Sequence, residues 1–264
     1  MKFTVLGSFE ISHNGQPCTP SAPKVRQVLA LLALRARQVV SLDALIEELW
    51  NESPPRSAVT TAQTYVYQLR KGFDALAGGG PDDPLLFTRP PGYTLELGGS
   101  TLDASEFDRL LDTGQSLLED GDAHRAADIL REALALWSGP VLANVSCGPL
   151  LRGYAAHLEE RRITALELRI SADIRIGRHR ELIPELKSLV SAHPLNEWLH
   201  AQLIIALNTT GRRGEALRAY QELRSLLNRE LGLDPSAELQ RIHQDVLTSD
   251  RAPGRASELA VSRA

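Results

Sequence analysis

Cysteine is scarce in this sequence. It occurs twice in 264 residues, at Cys18 and Cys147, too far apart to suggest a disulfide framework, so a reducing compartment is expected. No apolar run is long enough to span a bilayer. The amino terminus, Met1-Lys2-Phe3-Thr4-Val5, enters an alternating pattern at once, without a charged-then-apolar leader. The expected location is the cytoplasm, with no membrane partner. Catalytic and metal-binding patterns are missing too. None of the seven histidines forms H-x-x-x-H or H-E-x-x-H, and neither cysteine stands at ligand spacing to one. There is no G-x-S-x-G and no G-x-x-x-x-G-K-[ST] loop. An enzyme is not expected, nor a metal or cofactor.

An excess of positive charge is also lacking. The formal net charge is −4; residues 1–100 hold 9 Lys/Arg against 9 Asp/Glu, and the remainder holds 20 against 24. A surface that attracts phosphates must therefore cluster its cations locally. Its affinity should be moderate, salt-sensitive and dependent on more than one subunit.

What is present is organised around residues 54–97. Pro54 and Pro55 lead into a helical run over 56–77, a glycine break follows at 78–80, and a hairpin over 85–97 carries Arg89-Pro90-Pro91-Gly92 at its tip. In the run, Val59, Ala62, Val66, Leu69, Phe73 and Leu76 fall on one stripe that must be buried. The opposite side carries Ser57, Thr60, Thr61, Thr64, Tyr67, Gln68 and Lys71, with Arg56 and Arg70 on the flank and no carboxylate before Asp74. A merely solvated helix face is normally filled with Glu and Lys, which form helix readily and pair at four-residue spacing. Threonine and tyrosine are mediocre helix formers, so their use there asks for another reason. Hydroxyls and an amide that read base edges, with Arg and Lys on phosphates, supply one.

In the hairpin, Pro91-Gly92 predicts a turn with positive φ at the glycine. Tyr93, Leu95 and Leu97 alternate as one half-buried strand. A helix followed by a hairpin with Arg89 at its tip is the layout of a winged helix-turn-helix, with the helix in the major groove and the tip at the minor groove or backbone. The plainer alternative is an ordinary helix-plus-hairpin unit with a polar surface.

Upstream, Phe3, Val5, Phe9 and Ile11 alternate around Gly7, and Asn14-Gly15 is a hairpin turn, so a small leading sheet is expected. Ser21 is placed to cap a helix with Val25, Val28, Leu29 and Leu32 on one face, ending near Arg37. Ser41 is placed to cap a second, with Leu42, Leu45, Ile46, Leu49 and Trp50. Sheet, three helices and hairpin are the order of the OmpR-type winged helix. Gly98-Gly99-Ser100 reads as a linker closing a first domain at residues 1–98.

Beyond it the pattern is helical, over 105–119, 124–137, 150–176, 179–193, 197–209, 213–231 and 236–248. Ile176-Gly177-Arg178-His179-Arg180-Glu181-Leu182-Ile183 recurs 34 positions later as Thr210-Gly211-Arg212-Arg213-Gly214-Glu215-Ala216-Leu217. That is the tetratricopeptide period, and Gly121-Asp122-Ala123-His124-Arg125-Ala126 starts a third, degenerate copy. Trp50 and Trp137 read as core, Trp198 as core or, alternatively, a partner anchor, and Arg161-Arg162 and the arginines over 175–180 as salt-bridged helical surface. Residues 249–264 lack periodicity and read as a disordered tail. The fold class expected is an α+β winged helix-turn-helix followed by an all-α tetratricopeptide-like domain over 101–248.

With both halves in view, the chain resembles the Streptomyces antibiotic regulatory protein family. In the first half the resemblance rests on Lys24-Val25-Arg26-Gln27-Val28-Leu29-Ala30-Leu31-Leu32, Leu45 with Leu49-Trp50, Thr64-Tyr65-Val66-Tyr67-Gln68-Leu69-Arg70-Lys71, and Arg89 with Gly92-Tyr93. In the second it rests on Ala133-Leu134-Ala135-Leu136-Trp137-Ser138-Gly139-Pro140, Glu215-Ala216-Leu217-Arg218-Ala219-Tyr220 and Glu230-Leu231-Gly232-Leu233-Asp234-Pro235. The second half is similar to the family's bacterial transcriptional activator domain. The resemblance implies double-stranded promoter DNA as partner, bound at direct repeats about one helical turn apart by a dimer. It also implies recruitment of RNA polymerase, including its sigma factor, at antibiotic biosynthesis clusters, and hence a nucleoid-associated location.

The residues expected to meet DNA are Thr60, Thr64, Tyr67, Gln68 and Lys71 in the major groove, with Ser57 and Thr61 on the same face. Arg56 and Arg70 are expected on phosphates or guanine, Arg89 on the wing, and Lys24 on the backbone. Two rivals remain open at this point: a helical-repeat adaptor whose first domain docks a protein, and a repressor on the same fold.

Overall fold

The computed structural model describes residues 1–76 and 85–248. The glycine break at 78–80, the end of the helical run at Ala77 and the tail at 249–264 lie outside the described residues. The chain divides into two compact units, Met1–Arg169 and the residues from Ile170 onward. The division falls inside a long helix and not at Gly98-Gly99-Ser100.

The first unit opens with strands β1 (Lys2–Thr4), β2 (Glu10–His13) and β3 (Gln16–Pro17), joined at β2–β3 by the expected Asn14-Gly15 turn with both φ positive. Phe3, Val5, Phe9 and Ile11 are buried, as the alternation requires. The glycine-rich stretch at 98–100 does not leave the sheet behind. It returns the chain as β7 (Thr101–Leu102), parallel to β1 with Phe3 opposite Leu102, so the sheet order is β3-β2-β1-β7.

Helix α1 (Pro23–Leu34) starts later and stops earlier than its sequence pattern suggested. Ser21 does not cap it. Ala22 takes the cap position without a side-chain bond, and Pro23 opens the helix with a residue that has no N–H to satisfy. Helix α2 (Leu42–Trp50) follows strand β4 (Val40–Ser41), and the Ser41 hydroxyl accepts from the Ala44 N–H at 3.1 Å as expected. Trp50 is half-buried.

Helix α3 (Ala58–Leu76) then packs on α1 and α2. Its buried stripe is Ala58, Ala62, Val66, Leu69 and Phe73. Val59, assigned to that stripe by its spacing, is 48% exposed instead. Ala58 and Val59 lie four and three residues before Ala62, and both fit a helical stripe; the core takes the smaller side chain.

The wing is a three-stranded sheet of order β4-β6-β5, with β5 (Leu86–Arg89) and β6 (Gly92–Leu95) antiparallel and Arg89 opposite Gly92. Gly92 does not have the positive φ expected of it. It is buried opposite Ser41, and a Cβ there would collide with the Val40 carbonyl oxygen, so close strand approach is what demands glycine.

Helices α4 (Asp103–Glu119) and α5 (Ala123–Ala135) pack against one another, and α6 (Pro149–Arg175) begins after a loop. Two carboxylates fasten these elements to the first hundred residues. Asp103, buried at the start of α4, accepts from the Val5 and Leu6 N–H groups at 2.9 and 3.0 Å. Burial pushes its carboxyl above the usual range, and these backbone donors pull it back.

Glu48, on α2, is only 2% exposed. It accepts from the N–H groups of Gly148 (2.5 Å), Leu150 (3.0 Å) and Leu151 (3.0 Å), and from the Gln27 amide at 2.8 Å. It thus caps the otherwise orphaned amino-terminal donors of α6. The loop between α5 and α6 adds main-chain bonds: Ser138 N–H to Leu6 O, Leu142 N–H to Val5 O and Ala143 N–H to Gly7 O, at 2.8 to 3.0 Å. The Asn144 side chain closes a two-way pair with the Phe9 backbone at 2.7 and 3.2 Å. Trp137 is buried edge-on to Phe107 at 5.3 Å with the Arg162 guanidinium over its ring, and Arg161 pairs with Asp108 and Asp112.

In the second unit α7 (His179–Ala192), α8 (Glu197–Thr209) and α9 (Arg213–Leu231) stack in succession, with α10 (Ala237–Thr248) against α8 and α9. Gly177 and Gly211, the repeated glycines, both take left-handed φ near 80°, which a side chain disfavours. In the degenerate copy the corresponding glycine, Gly121, does the same at φ 85°. Ala216 and Ala126 occupy equivalent fully buried positions. Trp198 is half-buried.

Glu48→Ala leaves three N–H groups unpaired, one buried and two part-buried, and should lower the unfolding free energy by about 3 kcal/mol. Glu48→Gln keeps the volume and one acceptor and should lose less. Urea denaturation followed by tryptophan fluorescence checks both; a loss below about 1 kcal/mol for the alanine variant would show that the carboxylate does not hold α6.

Candidate nucleic-acid interface

Burial of the Ala58-Ala62-Val66-Leu69-Phe73 stripe fixes which way α3 faces. Val66 and Leu69 are buried, while Thr60, Thr64, Tyr67, Gln68 and Lys71 are exposed and Tyr67 is the most open large apolar body in the first unit, at 66%. Thr61 is half-buried. Its hydroxyl donates to the Ser57 hydroxyl at 3.4 Å, across the turn that contains Arg56 and Ser57 and precedes the helix. The Thr64 hydroxyl donates back to the Thr60 carbonyl at 2.8 Å, so its lone pairs and methyl are what it turns outward. Tyr67, Gln68, Lys71 and Arg56 make no side-chain hydrogen bond or ion pair among the described residues, so their donors and acceptors are free for a ligand.

Two of the expected cations are placed otherwise. Arg70 turns toward the wing: its Nε donates to the Leu86 carbonyl at 3.2 Å, its Nη2 to the Thr88 hydroxyl at 2.6 Å, and its guanidinium lies over Tyr93. It ties helix to hairpin and is not a free reader. Lys24 is half-buried, with Nζ donating to the Leu49 carbonyl at 2.6 Å and to Gln27 at 3.2 Å. It satisfies the carboxyl end of α2 and does not reach outward, because an orphan carbonyl near a helix terminus is a strong local acceptor for a cation.

Arg89 stands beside the two-proline tip of the wing, with its side chain 59% exposed, 3.7 Å from Glu96 and over the Phe87 ring. An ion pair this open is weak and gives way readily to a phosphate. Sequence spacing overlooked Gln63 and misplaced Val59. Both are exposed beside the reading face, and Gln63 has no partner among the described residues.

An OmpR-type reading helix with a wing is thus present, joined to helix pairs. The family model "Transcriptional regulatory protein, C terminal" matches residues 15–95, and "Bacterial transcriptional activator domain" matches residues 102–247. The regulatory protein DnrI of Streptomyces peucetius is 42% identical over 95% of this chain and 93% of its own length. The chain belongs to the Streptomyces antibiotic regulatory protein family. The transcriptional regulator RedD of Streptomyces coelicolor is 37% identical, over 95% of this chain and 71% of RedD. A solved structure of Mycobacterium tuberculosis EmbR with a low-affinity phosphopeptide superposes with a TM-score of 0.86 at 34% identity, over 94% of this chain and 65% of that one.

Family membership makes this protein a DNA-binding transcriptional regulator and not an enzyme, which sets aside the adaptor reading. No helix among the described residues is long and apolar enough to cross a membrane.

The split between free and committed cations is measurable without DNA. Arg70→Ala should lower stability by about 1–2 kcal/mol, because it releases the Leu86 carbonyl and the Thr88 hydroxyl. Lys71→Ala, one residue on, should change it by no more than about 0.5 kcal/mol. Equal melting shifts for the two variants would contradict this division of roles.

Proposed function

We propose that the chain activates transcription of an antibiotic or secondary-metabolite biosynthesis cluster from promoter direct repeats, and that it acts in the cytoplasm at the nucleoid. The carrying observation is the outward face of α3: hydroxyls, an amide and a free ammonium, with no carboxylate before Asp74 near its end, opposite a buried stripe. Residues 1–98 serve as the reading domain and 101–248 as the activator domain. Thr60, Thr64, Tyr67, Gln68 and Lys71 enter the major groove. Arg56 and Ser57, in the turn before α3, lie where a helix amino terminus meets phosphates. Arg89 reaches the backbone or minor groove from the wing. Thr61, Arg70 and Lys24 support this surface from behind.

Two copies bound in tandem, about one helical turn apart, supply the affinity that one neutral reading head lacks. RNA polymerase, including its sigma factor, is the partner that an activator of this family would recruit. A repressor would use the same DNA surface, so the sign of the effect is read from a promoter-reporter assay: loss of the gene should lower expression, and a rise would reverse the assignment.

Gel shifts of the full chain on its neighbouring intergenic regions test the face. Thr64→Ala should relax sequence preference, with the preferred base favoured by ~1–3 kcal/mol less. Lys71→Ala should weaken all sequences alike and reduce the salt slope by about 1. Unchanged binding by both variants would remove α3 from the interface.

A further inference from the structure

The flank of α3 that faces the wing carries a row separate from the one formed by Thr60, Thr64, Gln68 and Lys71. Val59, Gln63 and Arg70 follow one another along that side at helical spacing, and Arg70 is bonded to β5 of the wing. The side of the helix occupied by Val59 and Gln63 is therefore the side toward which the wing extends. Both residues stand in its first two turns, the part of a recognition helix that contacts base edges.

Neither is explained by the fold. Val59 is 48% exposed, and a β-branched side chain on an open helix surface loses rotamer freedom without burying area. Gln63 is exposed, and its amide has no partner among the described residues, nor any charged residue four positions away to pair with. Their chemistry is complementary to one kind of base pair. A glutamine amide matches the N6 donor and N7 acceptor of adenine, and an apolar side chain packs on the thymine methyl. One helical turn separates the two residues, so they address neighbouring base pairs and not the same one.

We infer that Val59 and Gln63 form a second reading row selective for an A·T step on the wing side of the site, Gln63 hydrogen-bonding adenine and Val59 packing on a thymine methyl. This rests on α3 being the DNA-reading helix, and the test separates the two. In a footprinted operator each thymine is replaced in turn by uracil, which removes only the methyl, and each adenine by 7-deazaadenine, which removes only the N7 acceptor. Binding of the full chain is measured for the natural protein, Val59→Ala, Gln63→Ala and Thr64→Ala. Both residues face solvent, so none of the core is disturbed.

At one thymine, uracil should weaken the natural protein by roughly fourfold, the worth of one buried methyl, and Val59→Ala should be indifferent to the swap. At a neighbouring adenine, 7-deazaadenine should weaken the natural protein by about fivefold or more, and Gln63→Ala should be indifferent. Swaps that cost the natural protein nothing, or cost the variants equally, overturn the second row. If Thr64→Ala relaxes preference while those swaps fail, only the second row falls. If Thr64→Ala also binds as the natural protein does, the assignment of α3 itself has failed.

Discussion

Rotation of α3 about its own axis is the variable on which the surface chemistry depends, and burial fixes it. Five residues, Ala58, Ala62, Val66, Leu69 and Phe73, lie against α1 and α2. Turning the helix by one residue would bring Thr61 or Gln63 inward and push an apolar side chain out. Either change opposes the transfer free energy of the buried methylenes and strands a polar group without a partner. The outward face is therefore not chosen by the polar residues that occupy it. It is what remains once the stripe has been placed, and the sequence uses that remainder for groups able to read bases.

Behind the helix, the backing elements are held by groups distant in sequence. α2 offers Glu48 to the first turn of α6, and its own carboxyl end receives Lys24 from α1. β1 and its following turn are bonded by Asp103 and by the loop at 138–144. A carboxylate that accepts several backbone N–H groups cannot be exchanged for water without leaving all of them unpaired. This accounts for a compact unit that runs through Arg169, well past the end of the wing. It also gives a physical role to the Trp137-Ser138-Gly139-Pro140 run, which as sequence was only a family signature.

Periodic features were legible and pairwise ones were not. Seven helices of the second half stand close to where their apolar spacing placed them, and the two repeated glycines adopt the left-handed turns that the 34-residue period implies. The outward residues of α3 were legible for the same reason, since a 3.6-residue period is a local property. Strands of two residues, such as β4 and β7, exist only through their partners, and nothing in Val40-Ser41 or Thr101-Leu102 announces them. Glu48 sits between solvent-exposed Glu47 and buried Leu49, and the N–H groups it caps lie about a hundred positions away. Lys24 and Arg70 read as free cations because the carbonyls that claim them are set by the tertiary fold. Ala58 and Val59 differ by one position in a stripe that tolerates both, and only packing decides between them.

Few free cations on the reading face have a consequence for specificity. On the proposed reading, one copy brings Arg56, Lys71 and Arg89 to phosphates, so about three counterions are released per copy and the salt slope of a single head is shallow, near 3. Binding to arbitrary DNA is then weak, because the sequence-independent share of the affinity is small. Contacts to base edges must carry more of the total, and two adjacent heads must combine before residence on a promoter becomes long. A strongly basic head would reverse this balance, holding any duplex tightly and gaining little from the correct one. On that same proposed reading, the neutral charge of residues 1–100, at first sight a point against DNA, would make occupancy depend on two correctly spaced repeats.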